Sequence, residues 1–303
     1  MTPQTPLTVA ITGATGMIGS ALVAHLRARG HTVRRLVRSV RERLDGDVIW
    51  KPMDAALDEG ILGGCDAIVH LAGAPIAQRW TDSHKREIRE SRVRGTSLIA
   101  KAVAAMRVKP RVVLSGSAIG YYGDRRDEEL DERSAAGSGF LASVSREWEE
   151  ATAPIAAAGV RLVLLRTGIV LSREGGAMGK LLPLFKLGLG GPLGSGQQWM
   201  SWISLGDHLR AMEHALVMDA LHGAANLVAP NPVRNADFAT TLGHVLERPA
   251  VIPVPAFALA LAMGEMAEAT ALASQRVAPR ALLASGFEFR HPMLEGALKA
   301  ELA

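Results

Sequence analysis

One cysteine, Cys65, in 303 residues excludes any internal disulfide, and no Cys/His cluster stands at ligand spacing, so no metal site is expected. A chain of this kind is expected in a reducing compartment, the cytoplasm. No uninterrupted apolar run reaches the length of a membrane span. Phe257 to Ala273 comes nearest, but Glu265 and Glu268 interrupt it, which points to a buried or amphipathic helix. The polar lead Met1 to Pro6 is too short for a secretory apolar core or a transit helix before the first expected strand. Only two tyrosines are present, Tyr121 and Tyr122, so any chemistry that needs a phenol must use one of them.

The chain has 34 basic and 30 acidic residues, a formal charge of +4, and its basic residues are dispersed. Only Arg34 to Arg43 is dense, and it reads as a solvated face or a nucleotide-phosphate site rather than a nucleic-acid surface. The expected partner is a small molecule. Neither nucleic acid nor membrane is expected, and the oligomeric state is not legible.

The first half alternates β-branched runs with longer helical patterns, the signature of a parallel sheet with crossover helices. Strands are expected at Thr8–Thr12, Thr32–Val37, Val48–Trp50, Ala67–Leu71, Val112–Ser115 and Arg161–Leu165. Helices fall at Met17–Arg29, at about Thr81–Met106 and at Gly139–Ala158. After Gly168 the character changes, and from Gly175 onward glycines and prolines cluster, as expected of a second lobe. There the pattern predicts helices at Asp207–Ala220 and Asn235–Leu246 and a strand at Val251–Val254, while Ala225–Val228 returns to the main sheet. The expectation is therefore an α/β fold of Rossmann type: a doubly wound parallel sheet over 1–170, completed by a strand near 224–229, and a smaller C-terminal substrate lobe over 171–303.

The strongest local signal is Thr12-Gly13-Ala14-Thr15-Gly16-Met17-Ile18-Gly19 between an apolar strand and a helix. Gly13 permits the tight turn, Gly16 lets backbone approach a pyrophosphate, and Gly19 permits close helix-to-strand packing. The helix N-terminus adds oriented N–H groups and partial positive charge, so Thr15, Met17 and Ile18 join the site. At the end of strand two, where NAD-preferring folds carry an acid, stand Val37, Arg38 and Ser39. A guanidinium and a hydroxyl suit a 2′-phosphate, so NADP(H) is the expected cofactor, with Arg41 and Arg43 adding positive potential or only solubility. Asp54 stands where it would bond the adenine amino group or simply cap a turn, and Leu71-Ala72-Gly73 places small residues at the sheet edge where a dinucleotide lies.

TGATGMIG, HLAGAPI, SGSAIGYYG, the long segment from LRTGIVLSREGG to QQWMSWISLGD, and PRALLASGFEFRHPMLEGAL together resemble the uncharacterised "epimerase family" of atypical extended short-chain dehydrogenases, over Leu7 to Leu298. The resemblance implies NADP(H) across the carboxyl edge of a seven-stranded sheet. Val37 and Arg38 then flank the adenosine end, Leu71 and Ala72 line the centre, and Glu87, Arg92 and Val170 also contact the cofactor. From the residues alone Glu87 and Arg92 read as a solvated helix face and Val170 as core.

In active relatives of that superfamily a tyrosine and a lysine exchange the proton while a serine positions the substrate. Ser117 matches the serine, with Ser115 as the substitute, but Phe140 and Val144 stand at the tyrosine and lysine positions. Tyr121 or Tyr122 would be a relocated acid or a packed aromatic pair. Gly168 and Met200 replace the asparagine and arginine that contact sugar diphosphates, which removes the case for a UDP-sugar. Trp199 and Trp202 would wall a small substrate or join the two lobes. The function expected is an NADP(H)-dependent oxidoreductase or epimerase-like protein acting on a small organic substrate, and the alternative is a non-catalytic NADP(H) sensor or scaffold.

Overall fold

The computed structural model describes residues 5–39, 43–44, 46–50 and 59–303. Arg41 and Asp54 lie outside the described residues. The chain opens with β1 (Thr8–Thr12), α1 (Met17–Ala28), β2 (Thr32–Val37), β3 (Val48–Ile49), α2 (Glu59–Leu62), β4 (Ala67–His70) and α3 (Asp82–Ala105). It continues with β5 (Val112–Ala118), a 3-10 turn over Ile119–Tyr122, β6 (Glu129–Leu130), α4 (Phe140–Glu150), α5 (Ala153–Ala157), β7 (Arg161–Thr167) and β8 (Ile169–Leu171). Then come α6 (Gly176–Lys186), β9 (Trp199–Met200), β10 (Trp202–Ser204), α7 (Leu205–Val217), β11 (Gly223–Leu227), β12 (Val233–Arg234) and α8 (Asn235–Val245). Last are α9 (Ala256–Met263), a π-helical turn over Ala267–Ala271, β13 (Arg276–Val277), α10 (Arg280–Ala284) and α11 (Leu294–Leu302).

Seven strands form one parallel sheet in the order β11-β7-β5-β4-β1-β2-β3. From β1 the sheet grows outward in both directions. That reversal opens a crevice at the carboxyl ends of β1 and β4, the place where open α/β sheets bind ligands. Alternate residues of each strand supply two cores. Val9 and Ile11 face Leu22 and Leu26 of α1 and Met212 and Leu216 of α7, whereas Ala10 and Ile68 face Ile99 and Val103 of α3 and Ile155 of α5. Burial on both faces explains why Ala67–His70 reads as a continuous apolar run rather than an alternation.

A third core belongs to the smaller lobe, where Leu171, Phe185, Trp202, Phe238, Leu242 and Leu298 meet. The lobe boundary expected near 170 is crossed in both directions. β8 pairs with β10, while α7, β11 and α10 return to the large sheet.

Three expectations need correction. Val251–Val254 forms no strand: Pro253 and Pro255 remove ladder donors, and only a single bridge joins Val254 to Leu193. The run Phe257–Ala273 is not one buried helix. It breaks at Gly264, whose φ of +64° suits glycine, and Phe257 and Leu261 are exposed. The helix expected over Gly139–Ala158 divides at Thr152, and Pro154 sits in the first turn of the following segment, where its missing N–H costs nothing.

Candidate functional site

The glycine turn is built by exclusion of volume. Gly13 has φ +69°, and a Cβ there would lie 2.8 Å from the Leu71 carbonyl carbon and oxygen and 2.9 Å from the Ala72 nitrogen. A Cβ on Gly19 would lie 2.1 Å from the Gly13 oxygen. The turn after β1 and the end of β4 therefore cross backbone on backbone, which brings Gly13, Leu71 and Ala72 together. Gly16 caps α1 without a side-chain hydrogen bond, and no acid stands in the first turn, so the amide end of the helix faces the crevice without competing carboxylate.

A hydrogen-bond chain missed in the sequence pins this crossing. The Ala72 N–H donates to Thr12 Oγ1 at 3.3 Å, and the same oxygen lies 2.7 Å from His70 Nδ1. Thr12 and His70 are opposite each other in the β1–β4 register. His70 is fully buried, and burial pushes its pKa down to about 4, so the ring is neutral. Its fit to the strand ends is visible only when both strands are placed.

Val37 ends β2 and is buried, Arg38 follows it exposed, and Ser39 beyond is half-buried. Arg43 is exposed as well. Gly73 is open to solvent, and the Arg92 guanidinium stands behind it, 3.2 Å from where a Cβ would be. Arg92 donates to the carbonyls of Ala74 and Ile88 at 3.0 and 3.2 Å and lies 5.1 Å from the Trp148 ring centroid. Burial pulls its pKa down to about 10. Val170 is buried, and Met17 reaches Gly175 and Gly176 just beyond it, so α6 abuts the first turn of α1. Glu87 makes its ion pair within its own helix, to His84 at 3.1 Å, and is mostly exposed.

On the other side of β4 the side chains are already engaged. Ser115 is buried beside His70 in the β4–β5 register. Ser117 donates to Glu149 at 2.6 Å. Arg166 grips both oxygens of that carboxylate at 2.8 Å and donates to the Tyr122 hydroxyl at 3.0 Å, which in turn donates to Asn226 Oδ1 at 2.7 Å. Tyr122 is fully buried and its pKa is pushed up to about 12, chiefly by burial, so the expectation that it offers a phenol to substrate does not hold. Tyr121 is half-buried; its ring packs 3.6 Å from the Arg166 guanidinium, and its hydroxyl has no hydrogen-bond partner among the described residues.

Phe140, at the usual tyrosine position, packs edge-on to Trp80 at 5.0 Å and lies 4.8 Å from the Lys85 ammonium, while Val144 is buried. The two loop tryptophans part company. Trp202 is fully buried in the small-lobe core with its indole N–H on the Asn231 carbonyl, which rules it out as a substrate wall. Trp199 is half-buried, donates to Asp127 at 2.9 Å, and has the Arg234 and Arg276 guanidinium groups 4.2 and 5.1 Å from its ring centroid, so it joins segments far apart in the chain. Among the described residues no group of acidic, His or Cys side chains could hold a metal ion, and no helix is long and apolar enough to cross a membrane.

Residues 9–227 match the model of the NAD dependent epimerase/dehydratase family, and residues 254–301 match a domain of unknown function. The chain is 44% identical to an epimerase family protein of Mycobacterium tuberculosis over 96% of each. It is 38% identical to human epimerase family protein SDR39U1 over 97% of this chain and 99% of that one. The crystal structure of the human protein with NADPH superposes with a TM-score of 0.90 at 37% identity, covering 97% of this chain and 98% of that chain. A Corynebacterium glutamicum structure described as a nucleoside-diphosphate sugar epimerase has 42% identity and a TM-score of 0.80, and covers 98% of this chain and 58% of that longer one. By sequence and by fold, the chain belongs to the NAD-dependent epimerase/dehydratase family.

Proposed function

We propose that the crevice between β1 and β4 binds NADP(H) and that the protein is an oxidoreductase acting on a small organic substrate. The observation that carries the reading is the crossing of Gly13 with Leu71 and Ala72 beside an uncapped helix N-terminus, with Arg38 at the end of the neighbouring strand. The residues fit the cofactor: the first-turn amides of α1 would hold the diphosphate, Arg38 and Ser39 the 2′-phosphate, and Arg92 would add positive charge beneath Gly73. The NADPH-bound human relative supports the same assignment. When bound, the nicotinamide supplies the hydride donor or acceptor.

What the chain adds is positioning and proton transfer. Ser117, held by Glu149, presents its remaining lone pairs and so orients a hydroxyl that donates to it. Tyr121 is the phenol whose proton is not committed elsewhere, and it is our candidate acid.

A second reading has its own support. Phe140 and Val144 cannot transfer protons, Tyr122 is sealed, and Ser117 is already bonded, a pattern natural for an NADP(H)-binding sensor without turnover. Fluorescence titration with NADPH and NADH, followed by a panel of carbonyl and alcohol substrates, separates the two. NADPH oxidation lost in Tyr121→Phe with NADPH affinity retained supports the enzyme; tight binding with no turnover across the panel supports the sensor.

A further inference from the structure

The segment over residues 254–301, which matches a domain of unknown function, reaches back to the 3-10 turn that carries both tyrosines. The Gln275 carboxamide nitrogen donates to the carbonyls of Ile119 and Gly123, each at 3.0 Å. Ile119 opens the turn and Gly123 follows it directly after Tyr122. Both partners are carbonyl oxygens, which only accept, so the nitrogen of the amide and not its oxygen faces them. One side chain of the C-terminal segment therefore spans the turn from end to end.

Gln275 is itself anchored in the smaller lobe. Its N–H donates to the Trp199 carbonyl at 3.1 Å and its carbonyl accepts from Ser201 Oγ at 2.8 Å, so β9 and the residue after it fix the main chain from which the carboxamide extends. Ser274 adds to the attachment. Its N–H donates to Asp124 Oδ1 at 3.3 Å, its hydroxyl to the Arg126 carbonyl at 2.6 Å, and its carbonyl accepts from the Arg125 N–H at 3.0 Å. A further hold on the turn comes from Gly137, whose N–H donates to the Tyr121 carbonyl at 2.9 Å; a Cβ there would lie 2.0 Å from the Tyr122 oxygen.

We propose that Gln275 is a positioning residue for Tyr121, and that the C-terminal segment supplies the clamp that holds this phenol in place for proton transfer. The inference rests on the reading of Tyr121 as the candidate acid. No hydrogen bond at the hydroxyl fixes Tyr121 among the described residues; its ring lies 3.6 Å from the Arg166 guanidinium and edge-on to Tyr122 at 5.4 Å, and the rest of its placement comes from the backbone beneath it. A proton donor needs both an uncommitted proton and a defined distance to the reacting atom, and a free hydroxyl on a clamped turn provides the two together. Tyr122 is held differently. Its hydroxyl is bonded to Arg166 and Asn226, so it keeps its place without the carboxamide.

Because the chain has only two tyrosines, isotopic labelling of the tyrosine rings yields one set of magnetic resonance signals from each, assigned with Tyr121→Phe. Gln275→Met keeps the length of the side chain and removes both donors, whereas Gln275→Lys restores donors through its ammonium. In the whole chain, Gln275→Met should shift or broaden the Tyr121 signals and leave those of Tyr122 at their parent positions, and Gln275→Lys should return Tyr121 towards the parent. On a substrate found in the carbonyl panel, turnover of Gln275→Met should fall by up to about 100-fold, the cost of a misplacement of about 1 Å, with NADPH affinity unchanged. Gln275→Asn, too short to reach both carbonyls, takes the place of the methionine variant should that one not fold. Unmoved Tyr121 signals or full turnover in the folded variant overturn the proposal, as does a lysine variant that behaves like the methionine one. A protein that binds NADPH and turns over nothing removes the role in proton transfer, and the Tyr121 signals alone then decide the clamp.

Discussion

Ser117 donates its hydroxyl proton to Glu149 at 2.6 Å, and Glu149 is in turn gripped through both oxygens by Arg166. The side chains of Glu149 and Arg166 are 10% and 5% exposed, so each is the other's principal compensation for lost water. Removing one charge strands the other. Glu149→Ala should therefore destabilise the fold by about 3–5 kcal/mol, whereas Ser117→Ala, which deletes one hydrogen bond to a charged group, should cost about 1.5–3 kcal/mol. Urea unfolding of both variants checks the order. Equal and small losses would show that the network is not the clamp described.

At the glycine turn the expectation is sharper because backbone leaves no room to yield. Gly13→Ala must place a Cβ within 2.8 Å of the Leu71 backbone while holding φ at +69°. We expect a stability loss of at least about 1–3 kcal/mol from backbone strain alone, with NADPH affinity reduced well beyond what that loss explains. Calorimetric titration of folded variant against parent provides the comparison. NADPH affinity matching the parent's would sink the assignment of the crevice.

Arg38 decides the cofactor variant. Arg38→Asp replaces a cation suited to a 2′-phosphate with an acceptor suited to a ribose hydroxyl, so preference should invert from NADPH to NADH. The affinity ratio measured by nicotinamide fluorescence reads the outcome, and an unchanged ratio would move the phosphate site elsewhere.

On the far side of α1, Glu213 of α7 accepts from His25 at 2.9 Å and from Arg29 at 3.0 Å. Burial alone would raise its pKa, but the hydrogen bonds and charges of His25 and Arg29 outweigh that and hold it at about 2, against an ordinary 4.5. The folded form thus favours the ionised carboxylate. The contribution is complete above pH 4.5 and lost as pH falls towards 2, amounting at most to about 3 kcal/mol. Acid unfolding of Glu213→Gln should lack this share of the pH dependence between 4.5 and 2; parallel curves for variant and parent would refute the linkage.

Local chemistry was enough to read most of the large domain. Thr8–Thr12 and Thr32–Val37 are strands over the expected residues because their β-branched runs are bounded by Gly13 and Gly30, and α1 starts at Met17 as the glycine pattern requires. The same reading fails at Val251–Val254, where prolines outweigh a β-branched run, and at Phe257–Ala273, where the expected single helix, buried or amphipathic, breaks at Gly264 and exposes Phe257 and Leu261. Burial depends on what packs opposite, and no local pattern reports it.

The cofactor crevice was legible because glycine positions, a helix start and the end of a strand are neighbours in the chain. The partners of the candidate chemical groups were not. Ser117 and Glu149 are 32 residues apart, Tyr122 and Asn226 are 104 apart, and Thr12 and His70 are 58 apart. The amino-acid order by itself determined a parallel sheet with a phosphate-cradling turn, since those follow from periodicity and from backbone freedom at single residues. Tertiary structure alone decided which hydroxyls are spent, which tryptophan is core and which apolar helix faces water, because each of these depends on groups that only folding brings within bonding distance.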